Sequence, residues 1–327
     1  MASFRQRGGK WQARVLRNGY PDQTKTFVTK ADAEKWARSL ESEIDKGQFA
    51  SLNEAQRNTL GDLIARYLAE VTPSMKGAAE DTIRLKAIMR KPIAQWSMAN
   101  LNAGRIAVYR DERLKEVGAG TVIRELAYIS AIINHARREW GINVPNPVQM
   151  MRKPQSPQAR SRVLSDEEVA KLLQALEPIG RRSHWTKPVV QLALATAMRR
   201  GELLSLRWEH IDLQGRTAFL PDTKNGDSRT VPLSTVAVRV LAELPRHISG
   251  VVIPVRFFTL DAAFKRGVRR AGLEGVRFHD MRRTAITRMA EKLPNVIELA
   301  AVSGHKSLMV LKRYYRPTAA ELAQKLG

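Results

Sequence analysis

Four short stretches in the second half of the chain hold residues able to do chemistry on a phosphate. "ATAMRRGELLSLRWEHIDL" places Arg199 and Arg200 at the opening of an apolar helix, with Glu202 one turn on. "PDTKNGDSRT" sets Lys224 beside an Asn-Gly turn, where its side chain can project from a hairpin tip. "VRFHDMRRTAITRMA" spaces His279 and Arg282 by one helical turn, so both can face one target. "SGHKSLMVLKRYY" joins His305 to Gly304 and ends on Tyr314 and Tyr315. Each stretch has a plainer reading by itself. These are an Arg–Glu pair worth about half a kcal/mol if exposed, a solvated turn lysine, a capped helix start and a structural histidine. Together they form a set suited to phosphoryl transfer. Cations neutralise a phosphate in its crowded transition state, and a lysine or histidine protonates a leaving oxygen or takes the tyrosine proton. The tyrosine then forms a covalent intermediate. No metal or cofactor is called for. The 6 histidines include no i,i+4 pair with an acidic partner, the spacing of a helical zinc site.

Composition points to the same kind of substrate. The 327 residues carry a formal net charge of +23, with 43% hydrophobic and 27% charged residues, and the sequence pI is about 10.7. Such a chain folds as a soluble protein of two or three domains, and its tight partners are polyanions, nucleic acid first. A basic membrane-surface protein would need an amphipathic basic helix or a lipid anchor, and neither is found. The 0 cysteines exclude a disulfide framework, a thiol nucleophile and any cysteine-ligated zinc or iron–sulfur site. The start "MASFRQRGGKWQ" has no apolar signal core, and no run approaches the ~18–20 residues of a membrane span. A cytoplasmic location is expected.

The elements that must position these residues fall into three blocks. Residues 1–55 read as a small sheet plus a helix. "KWQARVLRNGYPDQTKTFVT" alternates around Asn18-Gly19, the signature of a tight hairpin turn, and "SFRQRGG" can add a third strand. A helix follows, capped by Thr29, with Ala33, Trp36, Ala37, Leu40 and Ile44 on one face. Arg5, Arg7, Lys10 and Arg14 on this sheet are candidate DNA contacts, because a basic ribbon fits a major groove. A solvated basic face would look the same. Residues 56–152 read as wholly helical, with Thr121 capping a long last helix that ends near Gly141. Arg84, Lys86 and Arg124 are its candidate DNA contacts. The proline-bearing run Asn146–Val163 breaks the pattern, and an interdomain linker is placed at 153–162. A capping box at Ser165…Glu168 then opens the third block, 163–327, mostly helical with a small antiparallel hairpin turning at Asn225-Gly226. The expected class is α+β and multidomain.

In order and spacing, "TAMRRGEL", "TKNGDSRTVPL", "HDMRRT" and "SGHKSLMVLKRYY" resemble the successive signature boxes of the tyrosine recombinases, the phage integrase family. The resemblance covers nearly the whole chain. It implies an arm-type DNA-binding domain at 1–55, a core-type DNA-binding domain at 56–152 and a catalytic domain at 163–327. It puts the family's active-site set on Arg199, Lys224, His279, Arg282, His305 and Tyr314, with Tyr314 as nucleophile. "ATAMRRGELLSLRWEHIDL" and "SGHKSLMVLKRY" look similar to the shufflon-type DNA invertases in particular. One departure stands out: Thr196-Ala197 replaces the family's Thr-Gly, read as one extra methyl at a tight packing point.

The resemblance implies a site-specific recombinase of a bacterium or of its mobile elements. Each protomer would clamp half of a short inverted-repeat site in double-stranded DNA. Tyr314 would attack the scissile phosphate to give a 3′-phosphotyrosyl bond and a free 5′-hydroxyl. Arg199, Arg282 and His305 would hold the non-bridging oxygens, Lys224 would act as general acid, and His279 would assist proton transfer. Four protomers would exchange strands through a Holliday junction, with room for a DNA-bending accessory protein. The tail "RPTAAELAQKLG", with a capping box at Thr318…Glu321 and apolar Leu322 and Leu326, would dock on a neighbouring protomer or pack on its own domain. Two other readings share these residues: a type IB topoisomerase-like enzyme that relaxes DNA, and a DNA-binding regulator that keeps the fold without catalysis.

Overall fold

The computed structural model describes residues 2–45, 52–158, 160–178, 184–221, 228–314 and 319–327. The chain divides into two compact units, Met1–Ala159 and Arg160–Gly327.

The first unit opens with strands β1 (Ala2–Arg7), β2 (Lys10–Val15) and β3 (Gln23–Phe27) in an antiparallel sheet of that order. The turn expected at Asn18-Gly19 is present between β2 and β3, with Gly19 at φ 84°, but a tighter two-residue hairpin precedes it. It lies between β1 and β2, where Arg7 pairs with Lys10 around Gly8 and Gly9, both at positive φ (54° and 72°) as a two-residue turn requires. The β2–β3 ladder instead closes at Val15 and Gln23. Tyr20 N donating to Arg17 O at 3.1 Å closes the turn around Asn18-Gly19, and Pro21, which has no N–H to give a ladder, keeps the pairing from running up to it. Helix α1 (Lys30–Asp45) covers one sheet face with Ala37, Leu40 and Ile44 packed on Val15. Thr29 caps it, its hydroxyl accepting from Asp32 N at 3.2 Å. The register puts Arg5, Arg7, Lys10 and Arg14 together on the other face, all exposed.

The rest of this unit is helical: α2 (Leu52–Arg57), α3 (Leu60–Glu70), α4 (Ala78–Met89), α5 (Ala103–Glu116) and α6 (Ala119–Glu139). Its core joins Leu60, Leu63, Ile64, Leu85, Ile88, Ile106, Leu126, Ile129, Ile132 and Ile133. At roughly 1.5–3 kcal/mol for each large aliphatic side chain withdrawn from water, this core gives the unit most of its cohesion. Two boundaries differ from expectation. Gly118, not Thr121, caps α6, so Thr121 lies inside the helix, its N–H donating to Gly118 O at 2.9 Å. The proline-bearing run does not break away at Asn146 either. The Asn146 amide donates to Ser130 Oγ at 2.9 Å and to Asn134 Oδ1 at 3.0 Å, and Val144 and Val148 are buried in the helical core. A buried, fully used amide holds chain that composition alone marks as linker.

The second unit begins with α7 (Asp166–Ala175), where Ser165 and Glu168 form the anticipated capping box. Helices α8 (Thr186–Thr196) and α9 (Arg200–Leu204) follow. Next come the antiparallel strands β4 (Ile211–Asp212), β5 (Thr217–Leu220) and β6 (Arg229–Pro232), then α10 (Thr235–Ala242), α11 (Phe257–Arg270) and α12 (Phe278–Lys292). The chain ends with α13 (Val296–Ser303), α14 (Leu308–Leu311) and α15 (Ala319–Leu326). The sequence hairpin is two strands of a three-stranded sheet, and its turn at Asn225-Gly226 lies outside the described residues, as does Thr318 of the tail capping box. The main core gathers α7, α8, the sheet, α10 and α11 around Leu172, Val190, Leu192, Val231, Leu260, Phe264 and Met281. A smaller core of Ala197, Ala285, Ile286, Leu299 and Leu311 joins the end of α8 to α12, α13 and α14.

Candidate active site

The site is assembled where helix ends meet. Helix α8 stops at Ala197, fully buried and in the left-handed conformation at φ 54°, ψ 18°. The Thr196-Ala197 departure is therefore also a matter of backbone conformation, since glycine is the residue that takes this geometry without cost. The sharp reversal delivers Arg199 to the start of α9. There Glu202, 5% exposed, accepts from Arg199 N at 2.8 Å and from Arg199 Nη1 at 2.7 Å. The plain Arg–Glu pair thus exists, and it fixes Arg199 instead of occupying it fully.

Helix α12 supplies His279 and Arg282. Its first turn is set by Asp280, whose carboxylate accepts from Arg277 N at 2.8 Å and from Arg160 Nε at 3.0 Å. Arg282 is 3% exposed and donates to Ala197 O and to Ser303 O (2.7 Å), so it ties the end of α8 to the end of α13. Burial without a carboxylate partner, reinforced by Arg199, pushes its guanidinium down to about 10.

Gly304 ends α13 in the left-handed conformation at φ 68° and turns His305 back toward the helix. The Ser303 hydroxyl donates to Leu299 O at 2.6 Å and lies 2.8 Å from His305 Nδ1. That hydroxyl has one proton, already committed, so Nδ1–H donates to it and Nε2 is left as the ring's acceptor. Tyr314 follows α14, its N–H donating to Leu311 O at 2.8 Å. Its ring centroid stands 6.4 Å from that of His305, and the Arg283 guanidinium lies 5.4 Å from the tyrosine ring centre.

Arg199, Arg200, His279 and Arg282 line a cleft of about 210 Å³ with Met198, Phe257 and Phe278. Arg200 is spread over the Phe257 ring at 3.6 Å and paired with Asp261. The electrostatics are one-sided. Burial, then Arg282, Arg199 and Arg229, push His305 down to about 4; burial, then Arg282 and Arg283, lower His279. Cations that depress each other's neighbours this way form a site for an anion, since a bound negative charge relieves the repulsion. Among the described residues no group of His, Asp and Glu could hold a metal ion.

Five of the six sequence-derived residues, Arg199, His279, Arg282, His305 and Tyr314, thus stand around one region, while Lys224 lies outside the described residues. The candidate DNA contacts Arg5, Arg7, Lys10, Arg14, Arg84, Lys86 and Arg124 are exposed residues of the first unit. Two of these are also paired: Arg14 with Asp22, and Arg84 with Asp81 at 2.9 Å. Sequence reasoning missed Arg229 and Ser303. For Arg229 a signal existed: strand alternation puts it on the same inward face as the buried Val231.

The chain is similar to known proteins in both sequence and fold. The model of the phage integrase family matches residues 162–321. A Haemophilus influenzae protein described as an integrase/recombinase is 37% identical over 338 residues, spanning 98% of this chain and 89% of its own length. A shufflon-specific DNA recombinase of Escherichia coli is 39% identical over 280 residues, 83% of this chain and 72% of that protein. In fold, the chain is similar to a lambda integrase solved as a tetramer bound to a Holliday junction. The TM-score is 0.66 at 22% identity, covering 94% of this chain and 93% of that one.

Proposed function

The chain belongs to the phage integrase family, and from that premise we propose how this site-specific DNA recombinase cuts and rejoins its substrate. The observation that carries the proposal is the convergence of Arg199, Arg282, His279 and His305 on one anion-seeking region with Tyr314 beside it. Tyr314 Oη attacks the scissile phosphorus. The P–O5′ bond breaks as the O–P bond forms, leaving a 3′-phosphotyrosyl link and a free 5′-hydroxyl. His279, which burial and then Arg282 and Arg283 hold toward its neutral form, takes the tyrosine proton. Arg199 and Arg282 hold the non-bridging oxygens, joined by His305 once the bound phosphate favours its protonation at Nε2. The two arginines are fixed before substrate arrives, by Glu202 for Arg199 and by two carbonyls for Arg282. Lys224 protonates the leaving 5′ oxygen, a role resting on its place in the sequence. Attack of a second strand's 5′-hydroxyl on the phosphotyrosine reverses the step without ATP, because the bond energy is retained.

Residues 1–55 are assigned as an arm-type and 56–152 as a core-type DNA-binding domain, 153–162 as linker, and 163–327 as the catalytic domain. Four protomers on two inverted-repeat sites exchange strands through a Holliday junction; lambda integrase has been solved as a tetramer bound to such a junction. Helix α15 docks on a neighbouring protomer. A plasmid carrying two candidate sites tests the reading. Rearranged product, inverted or deleted between the sites, is expected, whereas loss of supercoils without rearrangement would make the enzyme a topoisomerase.

A further inference from the structure

Arg229, at the start of β6, does something the active-site set does not explain. Its guanidinium meets the Glu202 carboxylate side by side, Nη1 to Oε1 at 3.1 Å and Nη2 to Oε2 at 2.9 Å. The same carboxylate holds Arg199 through backbone and side chain, so one buried glutamate is shared by two arginines. The other face of the guanidinium lies against Gly304. A Cβ at that glycine would come within 2.2 Å of Arg229 Nη1 and 2.6 Å of its Cζ. Gly304 is thus needed twice, for its φ of 68° and for the space the arginine takes. Finally, Arg229 Nε is buried with no hydrogen-bond partner. An unpaired buried donor is unfavourable, which makes sense where the side chain is held for its position.

We propose that Arg229 is a positioning residue. It clamps Glu202, and through it Arg199, against the Gly304–His305 turn, so that strand β6 sets the spacing between the two phosphate-holding sides of the active site. This rests on the catalytic reading above. It also gives β6, which directly follows the Lys224 segment in sequence, a physical link to the pocket. The groups acting on His305 are Arg282 and His279 from α12, Arg199 from the start of α9, and Arg229 from β6, with the Tyr314 ring alongside. Removing the Arg229 charge takes away one of the cations holding the imidazole down.

The test compares wild type with Arg229→Lys and Arg229→Gln for covalent adduct formation on a nicked suicide DNA substrate. Rates are taken at saturating DNA across pH, beside DNA affinity and thermal melting. A misplacement of about 1 Å at a reacting group costs on the order of 10²-fold. Both variants are therefore expected to lose roughly tenfold to a hundredfold in adduct rate while DNA affinity holds. In Arg229→Gln the His305-linked limb of the pH profile moves to higher pH, whichever form of the ring is active; in Arg229→Lys it stays. A variant that melts like wild type and keeps the wild-type rate and profile overturns the proposal, as does a rate loss matching only the unfolded fraction. If Arg229→Gln does not fold, Arg229→Lys carries the test, and a wild-type rate in it is the contrary result. If wild type itself forms no adduct, the catalytic reading fails instead.

Discussion

The two units use basic residues in opposite ways. On the sheet of the first unit, Arg5, Arg7, Lys10 and Arg14 line one water-facing side of a thin ribbon, and in its helical part Arg84 and Lys91 are paired with Asp81 and Glu116. In the second unit, Arg199, Arg229 and Arg282 are drawn inward around Glu202 and two backbone carbonyls. Exposed cations cost little to place, are screened by salt and act on any polyanion within about a Debye length. Inward cations cost desolvation, need fixed partners, and in return act on one phosphate in a low-dielectric setting. On the proposed reading, a net charge of +23 therefore has two separable meanings here, attraction and catalysis.

That separation can be broken experimentally, and the largest effect belongs to the inward set. Arg282→Ala should cut adduct formation by about 10²–10³-fold, the loss typical of a preorganised transition-state donor. It should also lower the melting temperature, because Ala197 O and Ser303 O lose a buried donor. Full activity in this variant would place the reacting phosphate elsewhere. For the outward set, replacing Arg5, Arg7 and Lys10 with Ala should reduce the slope of log affinity against log salt by about 0.9 for each phosphate that is no longer neutralised. The adduct rate on saturated DNA should stay as in wild type, and an unchanged slope would make the ribbon a solvated face.

Acid should also tell the regions apart. His305 is held near 4 in the folded protein, against about 6.5 unfolded. Between those values the unfolded chain binds more protons, so stability falls as pH is lowered through that window, by at most ~1.4 kcal/mol per pH unit for one group. DNA should relieve the effect, since a phosphate in the pocket favours the protonated ring. Urea midpoints at pH 7 and pH 5, with and without DNA, check this. The smallest expected effect is at Ala197. Ala197→Gly should stabilise the second unit by up to about 1 kcal/mol, because a non-glycine residue at φ 54° is strained. A loss of stability would mean that the alanine methyl, buried with Ile286 and Leu299, outweighs that strain.

What was legible in the sequence follows the range of the interactions. Local signals read well: the Thr29 cap, the Ser165…Glu168 capping box and the apolar stripe of α1 depend on neighbours a few residues away. Signals whose meaning depends on distant chain read poorly. Asn18-Gly19 makes its turn, closed by Tyr20 N on Arg17 O, but where the ladder stops is set by Pro21 beyond it. Asn146 looks like linker until α6 supplies Ser130 and Asn134 as its partners. In the site, the boxes marked which residues would meet but not what holds them. The clamp of Arg229 on Glu202 joins residues 27 apart in sequence, and the ties from Arg282 span 85 and 21. No periodicity announces such links.

The most direct measurement of the central claim is covalent trapping. Purified protein and its Tyr314→Phe and Tyr315→Phe variants are incubated with a nicked suicide duplex bearing the target site, and adducts that survive denaturant are counted. An adduct in wild type and in Tyr315→Phe, absent in Tyr314→Phe while DNA affinity is retained, is the predicted result. An adduct that persists in Tyr314→Phe and vanishes in Tyr315→Phe would contradict the assignment of the nucleophile beside His305.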